Sequence, residues 1–166
     1  MKVLVTGGAG FIGSHTCLVL LEKGYEVIVI DSLVNSHEKS IERVTELLKP
    51  IKTIKNVNIE FLKLDIRDEK ALSELFLYHQ KLNKPIHVVV HFAGLKSVKE
   101  SIVNPLQYWD VNVNGTINLL RVMSLYECRT IVFSSSATIY GVSGTKPLLE
   151  NTAINPINPY GRTKAS

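Results

Sequence analysis

The chain has 166 residues, of which 45% are hydrophobic and 20% are charged, and it carries a modest net charge of +4. This length is enough for one domain with a sizeable buried core, and the composition predicts a soluble globular protein. No apolar run approaches the ~20 residues that a membrane span needs. No signal-peptide pattern precedes the first apolar run. The sequence therefore predicts neither a membrane protein nor a secreted one.

Two local features of the composition limit the possible partners and the compartment. Lysines are concentrated between Lys49 and Lys55. Because no aromatic residues alternate with them, this stretch predicts a solvated loop and no nucleic-acid surface. Cys17 and Cys128 are too few for a disulfide framework. They predict reduced, partly buried thiols in a cytoplasmic protein.

Short β-branched runs alternate with amphipathic segments along the chain. The predicted strands are, in order, 3–5, 26–30, 58–64, 86–91 and 130–133. The predicted helices between them are 12–23, 36–49, 69–82 and 105–127. Asn104 can cap the last of these, and Pro105 suits its first position. Nearly continuous apolar strands are typical of a parallel sheet covered on both faces. The alternation predicts an α/β fold with a Rossmann-type, doubly wound parallel sheet.

A further helix begins near the end of the chain. Asn158 and Pro159 are typical of a cap followed by a first helical residue, which places Tyr160 in the first turn. The sequence stops at Ser166 after barely two turns and without a capping glycine. A short natural helix and a truncated one both fit this pattern. We expect truncation, so that the chain is the front part of a longer protein.

Three glycines follow the first strand, Gly7, Gly10 and Gly13, at a spacing that suits a dinucleotide. In such a turn the first glycine permits the tight bend and the second lets the backbone approach the pyrophosphate. The third glycine lets the helix pack closely on the strand, and the amides at the N-terminus of that helix face the phosphates. Three glycines at this spacing occur often by chance. Their place between a strand and an amphipathic helix predicts a nucleotide site.

Aspartates end the second and third predicted strands. Asp31 stands 18 residues after Gly13, where a carboxylate accepts hydrogen bonds from the adenosine ribose and repels a 2′-phosphate. No arginine follows between Ser32 and Ser36, so NAD is predicted over NADP. The alternative for Asp31 is a loop cap at the end of a strand. For Asp65, adenine contact and loop capping are both open.

Tyr160 is the only one of the six tyrosines with a lysine four positions later, Lys164. Positions four apart share a helical face, so the ammonium can lie beside the phenol. Tyrosine has an ordinary pKa of about 10 and is a poor base at neutral pH, but a nearby cation lowers that pKa. The pair therefore predicts a basic tyrosine. An isolated pair of this kind would more often be an exposed surface feature.

Hydroxyl groups and histidines lie near the ends of the last two strands. Ser134, Ser135 and Ser136 end the fifth strand, at the carboxyl edge where such sheets bind ligands. One of their hydroxyls could bridge a substrate hydroxyl to the phenolate, although strand-end serines are usually loop caps. His87 and His91 flank a valine run without partner ligands, so we expect core or strand-end histidines and no metal site.

Together these motifs resemble the extended short-chain dehydrogenase/reductase superfamily and, within it, the family of UDP-sugar 4-epimerases. The likeness covers the whole chain and includes residues 35–36, 91–98, 110–116 and 133–141. The resemblance implies that Ser136, Tyr160 and Lys164 form the catalytic group. Around NAD, the motifs and the resemblance together place Gly7, Gly10, Phe11, Ile12, Gly13, Asp31, Ser32, Leu33, Val34, Asn35, Ser36, Asp65, Ile66, Phe92, Ala93, Gly94, Leu95, Lys96 and Asn112.

The resemblance also implies a reaction, which is epimerisation at C4 of a UDP-sugar (UDP-glucose and UDP-galactose, in galactose metabolism) through a 4-keto intermediate. Tyr160 would take the proton of the 4-hydroxyl, and Ser136 would orient or relay it. Lys164 would favour the phenolate and hold the nicotinamide ribose. The family is also typically a homodimer. Residues 1–166 would form its NAD-binding Rossmann domain, without the C-terminal sugar-nucleotide domain.

Three alternatives stay open. Other UDP-sugars, N-acetylhexosamines or uronic acids, could be the substrates. A nucleotide-sugar 4,6-dehydratase has an Asp-Glu pair after the strand-end hydroxyl, where this chain has Ala137 and Thr138. Because neither residue can serve as the additional acid or base, the dehydratase is less favoured. The chain could also be a catalytically inactive module that binds NAD without turnover.

Overall fold

The structure is a computed structural model that describes residues 1–49, 58–141 and 147–166. Its elements, in chain order, are β1 (Lys2–Thr6), α1 (Phe11–Glu22), β2 (Glu26–Asp31), α2 (Lys39–Leu48), β3 (Ile59–Lys63), α3 (Glu69–Lys81), β4 (Ile86–His91), α4 (Val98–Val103), α5 (Pro105–Trp109), α6 (Gly115–Leu125), β5 (Thr130–Phe133) and α7 (Pro159–Ala165). A π turn, Asp110–Asn114, joins α5 to α6, and a 3₁₀ turn, Ala137–Tyr140, follows β5. Apart from Lys49, the predicted lysine-rich loop lies outside the described residues.

The five strands form one parallel sheet in the order β3-β2-β1-β4-β5. This is a Rossmann-type order with the first strand at its centre, so the predicted fold class is confirmed. The strand order reverses between β1 and its neighbours β2 and β4. In open sheets of this kind, the reversal leaves a crevice at the carboxyl ends of the strands, and ligands bind there.

Helices cover both faces of the sheet because successive side chains of a strand point to opposite sides. Val5 of β1 belongs to the core cluster that includes Leu21 of α1. Its neighbour Leu4 belongs to the other cluster, with Phe76 of α3 and Leu119 of α6. The strands are therefore apolar on both faces, which explains their nearly continuous hydrophobic runs.

The helices differ from the predicted ones in two places. The helix predicted at 36–49 begins only at Lys39, because the hydroxyl of Ser36 donates to Asp31 and holds the preceding loop. The sequence reasoning missed α4, whose six residues are too few to show an apolar period. The hydroxyl of Ser97 caps α4 by accepting from the amide of Glu100.

The long helix predicted at 105–127 runs from Pro105 to Leu125 and contains the π turn, which the prediction missed. Asn104 stands at its N-cap, but its side chain makes no capping hydrogen bond, so the predicted cap is wrong in that respect. The cap predicted for α7 is confirmed, because Asn158 accepts from the amide of Gly161 at 2.7 Å.

Cys17 and Cys128 are both free and buried, in agreement with the prediction. Burial raises the pKa of the Cys17 thiol to about 12, so this group stays protonated and unreactive at neutral pH. Among the described residues, no helix is both long enough and apolar enough to cross a membrane. The cytoplasmic location stays a prediction.

Candidate active site

A cavity of about 390 Å³ opens at the carboxyl edge of the sheet. Most of the residues predicted around a dinucleotide line it, namely Gly7, Gly10, Phe11, Ile12, Gly13, Asp31, Ser32, Val34, Asn35, Asp65, Ile66, Phe92, Ala93, Gly94, Leu95 and Lys96. Tyr160 and Lys164 line the same cavity. The predicted nucleotide residues and the predicted catalytic pair are thus brought together at one edge.

The glycine turn closes one side of the cavity and lies against the loop after β4. Gly7 has a φ of 66°, and a Cβ built on it would lie 2.6 Å from the backbone nitrogen of Ala93. Only glycine fits this approach. Gly13 packs against the backbone of Gly7 and Gly8, so it serves contact with the turn more than with the strand.

The N-terminus of α1 faces the cavity without a side chain to cap it. Its N-cap is Gly10, and the first turn of the helix carries no acidic residue. The amides of the first helical turn have no partner within the helix, and the helix dipole adds positive potential at this end. Such a terminus is an anion-binding site, and a pyrophosphate suits it.

Asp31 lies at the end of β2 with its carboxylate held by the surrounding backbone. Its Oδ2 accepts from the amide of Ala9 at 3.0 Å, and its Oδ1 accepts from the amide of Leu33 at 2.9 Å and from the hydroxyl of Ser36 at 2.7 Å. A carboxylate has about four acceptor positions, so it can still accept from a ligand hydroxyl. Leu33 and Ser36 do not line the cavity, and they act by orienting Asp31.

Asp65 begins the turn after β3 and carries an ion pair that the sequence reasoning missed. The guanidinium of Arg67 donates to Oδ1 of Asp65 at 3.1 Å and to Oδ2 at 2.7 Å, and it donates to Asp110 of the π turn at 2.9 Å. These contacts hold the pKa of both carboxyl groups below the ordinary value. Arg67 also lines the cavity, so the ion pair forms part of the rim.

Asn112 does not line the cavity, although it was predicted to lie around NAD. It is buried in the π turn, and its amide oxygen accepts from the backbone of Leu95 at 2.8 Å. Its amide nitrogen donates to the carbonyl of Leu95 and to the hydroxyl of Thr163, both at 3.0 Å. Its side chain is therefore used to hold the loop after β4 and α7, two walls of the cavity.

Tyr160 is 9% exposed and packs in an apolar cluster with Leu95 and Tyr108. The rings of Tyr160 and Tyr108 meet edge to face, with centroids 6.4 Å apart. Burial lowers the pKa of Lys164, whose ammonium donates to the carbonyl of Ser134 at 3.1 Å and lies 4.9 Å from the centre of the Phe133 ring. Tyr160 is thus buried and Lys164 is half-buried, so the predicted pair lies in the cavity and is not an exposed surface feature.

Ser136 follows β5 at the carboxyl edge but does not line the cavity. Its Oγ accepts from the amide of Thr138 at 3.2 Å and from the hydroxyl of Thr138 at 2.9 Å. A hydroxyl can accept two hydrogen bonds and donate one. The Ser136 hydroxyl already accepts two, so its proton is still available for donation to another group. Ser136 therefore caps the turn, as strand-end serines usually do. It also keeps one donor that could bridge to a substrate hydroxyl, so both interpretations of the sequence are compatible with its position.

Ser134, one of the three candidate hydroxyl residues after the fifth strand, also lines the cavity. The remaining cavity residues were not predicted, and they are Ile30, Leu64, Arg67, Gln107 and Val111. Leu64 and Arg67 flank the predicted Asp65–Ile66 pair, and this proximity was the available signal. Gln107 and Val111 come from α5 and the π turn, and only the packing of that helix brings them to the cavity.

A family model described as GDP-mannose 4,6 dehydratase matches residues 4–166. The chain belongs to this family. Its similar relatives include a UDP-glucose 4-epimerase of Schizosaccharomyces pombe, 47% identical over 98% of this chain and 43% of the relative. The UDP-glucose 4-epimerase of Bacillus subtilis is 44% identical over 99% of this chain and 45% of the relative. The resemblance predicted from the motifs is confirmed.

Solved structures give the same answer for the fold. UDP-glucose 4-epimerase from Bifidobacterium longum, in complex with NAD⁺ and UDP, superposes with a TM-score of 0.88 at 41% identity, over 99% of this chain and 46% of that one. The epimerase of Stenotrophomonas maltophila, with NAD and formylated UDP-arabinopyranose, gives 0.87 at 43% identity, over 99% and 46%. The chain spans less than half the length of the relatives that it matches.

Proposed function

We propose that the whole protein is a NAD-dependent 4-epimerase of UDP-sugars, with UDP-glucose and UDP-galactose as its substrates in galactose metabolism. Residues 1–166 would be its NAD-binding Rossmann domain. The observation that carries this proposal is that Tyr160 and Lys164 share one cavity with the glycine turn and Asp31. The sugar-nucleotide domain would correspond to the part of the relatives that residues 1–166 do not match.

The cavity suits a dinucleotide on its own geometry. The uncapped N-terminus of α1 fits a pyrophosphate, and Gly7 brings the turn close to the loop after β4. Asp31 would accept from the adenosine ribose, and Asp65 would accept from the adenine amino group. Because Arg67 is already paired with Asp65 and Asp110, its charge is not free for a 2′-phosphate. These features favour NAD over NADP.

Tyr160, Lys164 and Ser136 would then perform the proton transfer. NAD would supply reversible hydride transfer with C4 of the sugar, which gives a 4-keto sugar that is reduced again on its other face. Tyr160 would accept the proton of the 4-hydroxyl and later return it. Lys164 would stabilise the phenolate because its charge is half-buried and weakly screened. Ser136 would donate its remaining hydrogen bond.

The family model carries the name of a dehydratase, but the residues after β5 favour an epimerase. Dehydration across C5 and C6 needs a further acid and base. The positions after Ser136 hold Ala137 and Thr138, which cannot supply them. Relatives at 44% to 49% identity carry the name UDP-glucose 4-epimerase. Activity on UDP-N-acetylglucosamine and on UDP-uronic acids would be measured alongside to define the sugar.

The test is the interconversion of UDP-glucose and UDP-galactose by the whole protein. Tyr160→Phe should lower kcat by about 10²-fold or more, as expected for a lost general base, while NAD binding persists. Lys164→Met should shift the pH–rate profile to higher pH, and Ser136→Ala should cost less than either. Tyr25→Phe, on a partly buried tyrosine outside the cavity, is the matched control. A wild-type protein that binds NAD without turnover would refute the enzyme and support the inactive module.

We also propose that the whole protein is a homodimer. An apolar stripe on α5 and α6 supports this, since Leu106, Trp109, Ile117 and Leu120 are 82%, 38%, 41% and 44% exposed. These residues and Val113 are spaced three or four apart, the pattern of a helix that packs on another helix. Ile117→Glu should convert the dimer to a monomer in sedimentation analysis.

A further inference from the structure

A buried chain of polar side chains runs under the cavity from the first strand to the last helix. Its members are, in order of contact, Thr6, His91, Thr116, Asn112 and Thr163. Four of them are 5% exposed or less, and Thr116 is half-buried. The proposed reaction assigns no role to His91, the central member of the chain.

The direction of each hydrogen bond follows from the number of protons available. The hydroxyl of Thr116 donates to the carbonyl of Asn112 at 2.6 Å, since a carbonyl only accepts. A hydroxyl has one proton, so Thr116 must accept in its contact with His91 Nε2 at 2.9 Å. Nε2 of His91 therefore carries a proton.

The other side of the ring is determined in the same way. The hydroxyl of Thr6 lies 2.6 Å from Nδ1 of His91 and accepts from the amide of Ala93 at 3.2 Å. With Nε2 protonated, a neutral ring accepts at Nδ1 from Thr6. A second proton on the ring would leave the fully buried Thr6 hydroxyl to find another acceptor. Burial and the charge of Lys164 lower the pKa of His91 to about 4, consistent with a neutral ring.

The last members of this hydrogen-bonded series hold two segments that form walls of the cavity. Thr116 holds the backbone of Asn112 within the π turn, and the side chain of Asn112 binds both backbone groups of Leu95. Its remaining contact is with Thr163, which precedes Lys164 in α7. A displacement of the π turn would therefore move the loop after β4 and the lysine together.

We propose that His91 is a positioning residue, held as the neutral tautomer with its proton on Nε2. It joins the ends of β1 and β4 to the π turn, and through Asn112 it aligns Lys164. The part concerning alignment for catalysis rests on the proposed function, while the tautomer and the hydrogen-bond directions do not.

The tautomer is measured by long-range ¹H–¹⁵N correlation of the whole protein with ¹⁵N-labelled histidine, with the His91 signals assigned by their loss in His91→Gln. We expect a proton on Nε2, a bare Nδ1, and no titration between pH 8 and pH 5.5. A proton on Nδ1, or titration near the ordinary histidine pKa of about 6.5, would overturn the proposal.

The positioning role is measured by kcat and its pH dependence in four variants. Gln retains one acceptor and one donor, so His91→Gln should stay within about threefold of the wild type. His91→Leu and Thr116→Val each remove one member of the hydrogen-bonded series of side chains. Each variant should lower kcat about tenfold and move the pH–rate profile toward that of Lys164→Met. His87→Leu, on the exposed histidine of the same strand, should change neither quantity.

Equal losses in His91→Gln and His91→Leu, with the pH–rate profile unmoved, would show that the ring only fills space and would overturn the proposal. If His91→Leu fails to fold, Thr116→Val and the tautomer still decide the question. Absence of epimerisation in the wild type refutes the proposed function instead. The tautomer measurement then decides whether the buried chain is as described.

Discussion

Gly7→Ala should destabilise the fold by more than the loss of a left-handed backbone conformation alone. Gly7 has a φ of 66°, where an alanine costs about 1–2 kcal/mol. Its Cβ would lie 2.6 Å from the nitrogen and 2.8 Å from the Cα of Ala93, and such overpacking costs about 1–3 kcal/mol. Restricting the unfolded chain offsets about 0.4–1 kcal/mol. We expect a loss of about 1–4.5 kcal/mol in the free energy of unfolding, with the middle of that range near 3 kcal/mol.

Gly24→Ala separates the two causes. Gly24 has a φ of 81°, but nothing lies within 4 Å of a Cβ built on it, so this variant has the backbone strain without the clash. We expect a loss of about 1 kcal/mol. Urea unfolding of both variants and the wild type, followed by circular dichroism, gives the two values from the midpoints when the slopes agree. Equal losses would show that the close approach of Gly7 to Ala93 does not exist.

Three further predictions concern charges at the site. We expect the protein to bind NAD at least about tenfold more tightly than NADP, and Asp31→Ala should reduce this ratio of affinities. Titration calorimetry with both nucleotides measures the ratio. An unchanged ratio in the variant would show that another group discriminates between the two nucleotides. Stability should fall from pH 6.5 toward pH 4, because the unfolded state binds more protons than a fold in which the pKa of His91 is about 4. His91 should contribute up to about 3 kcal/mol above pH 6.5, and in urea unfolding His91→Gln should flatten that slope. Arg67→Met should weaken NAD binding roughly twofold to fivefold by releasing Asp65, since partly exposed ion pairs contribute about 0–1 kcal/mol, and unchanged affinity would separate this pair from the nucleotide.

The sheet and the predicted nucleotide side of the cavity were predictable because their signals are local. Gly7 and Gly13 mark a turn by their spacing, and Asp31 is recognised by its place at the end of an apolar run. Such signals need only the neighbouring residues. The π turn gave no such signal, since the helix around it keeps its apolar pattern on both sides.

The residues that were missed or misplaced depend on partners far away in the sequence. Asn112 was expected beside the cofactor, but its side chain is used by Leu95 and Thr163, 17 and 51 positions away. Arg67 gained its role from Asp110, 43 positions away. The pattern of residues within one segment cannot predict these contacts, because they form only through tertiary packing.

The predicted catalytic pair combines both kinds of information. The spacing of Tyr160 and Lys164 is a local property of α7 that predicts which groups can react. Their alignment depends on contacts with other elements: Asn112 with Thr163, and Lys164 with the carbonyl of Ser134. The spacing would be identical on a helix that had drifted from the sheet, and the chemistry would be lost. If the proposed function holds, the buried contacts beneath the cavity would therefore determine whether the motif is active, and they would matter to function as much as the residues that line it.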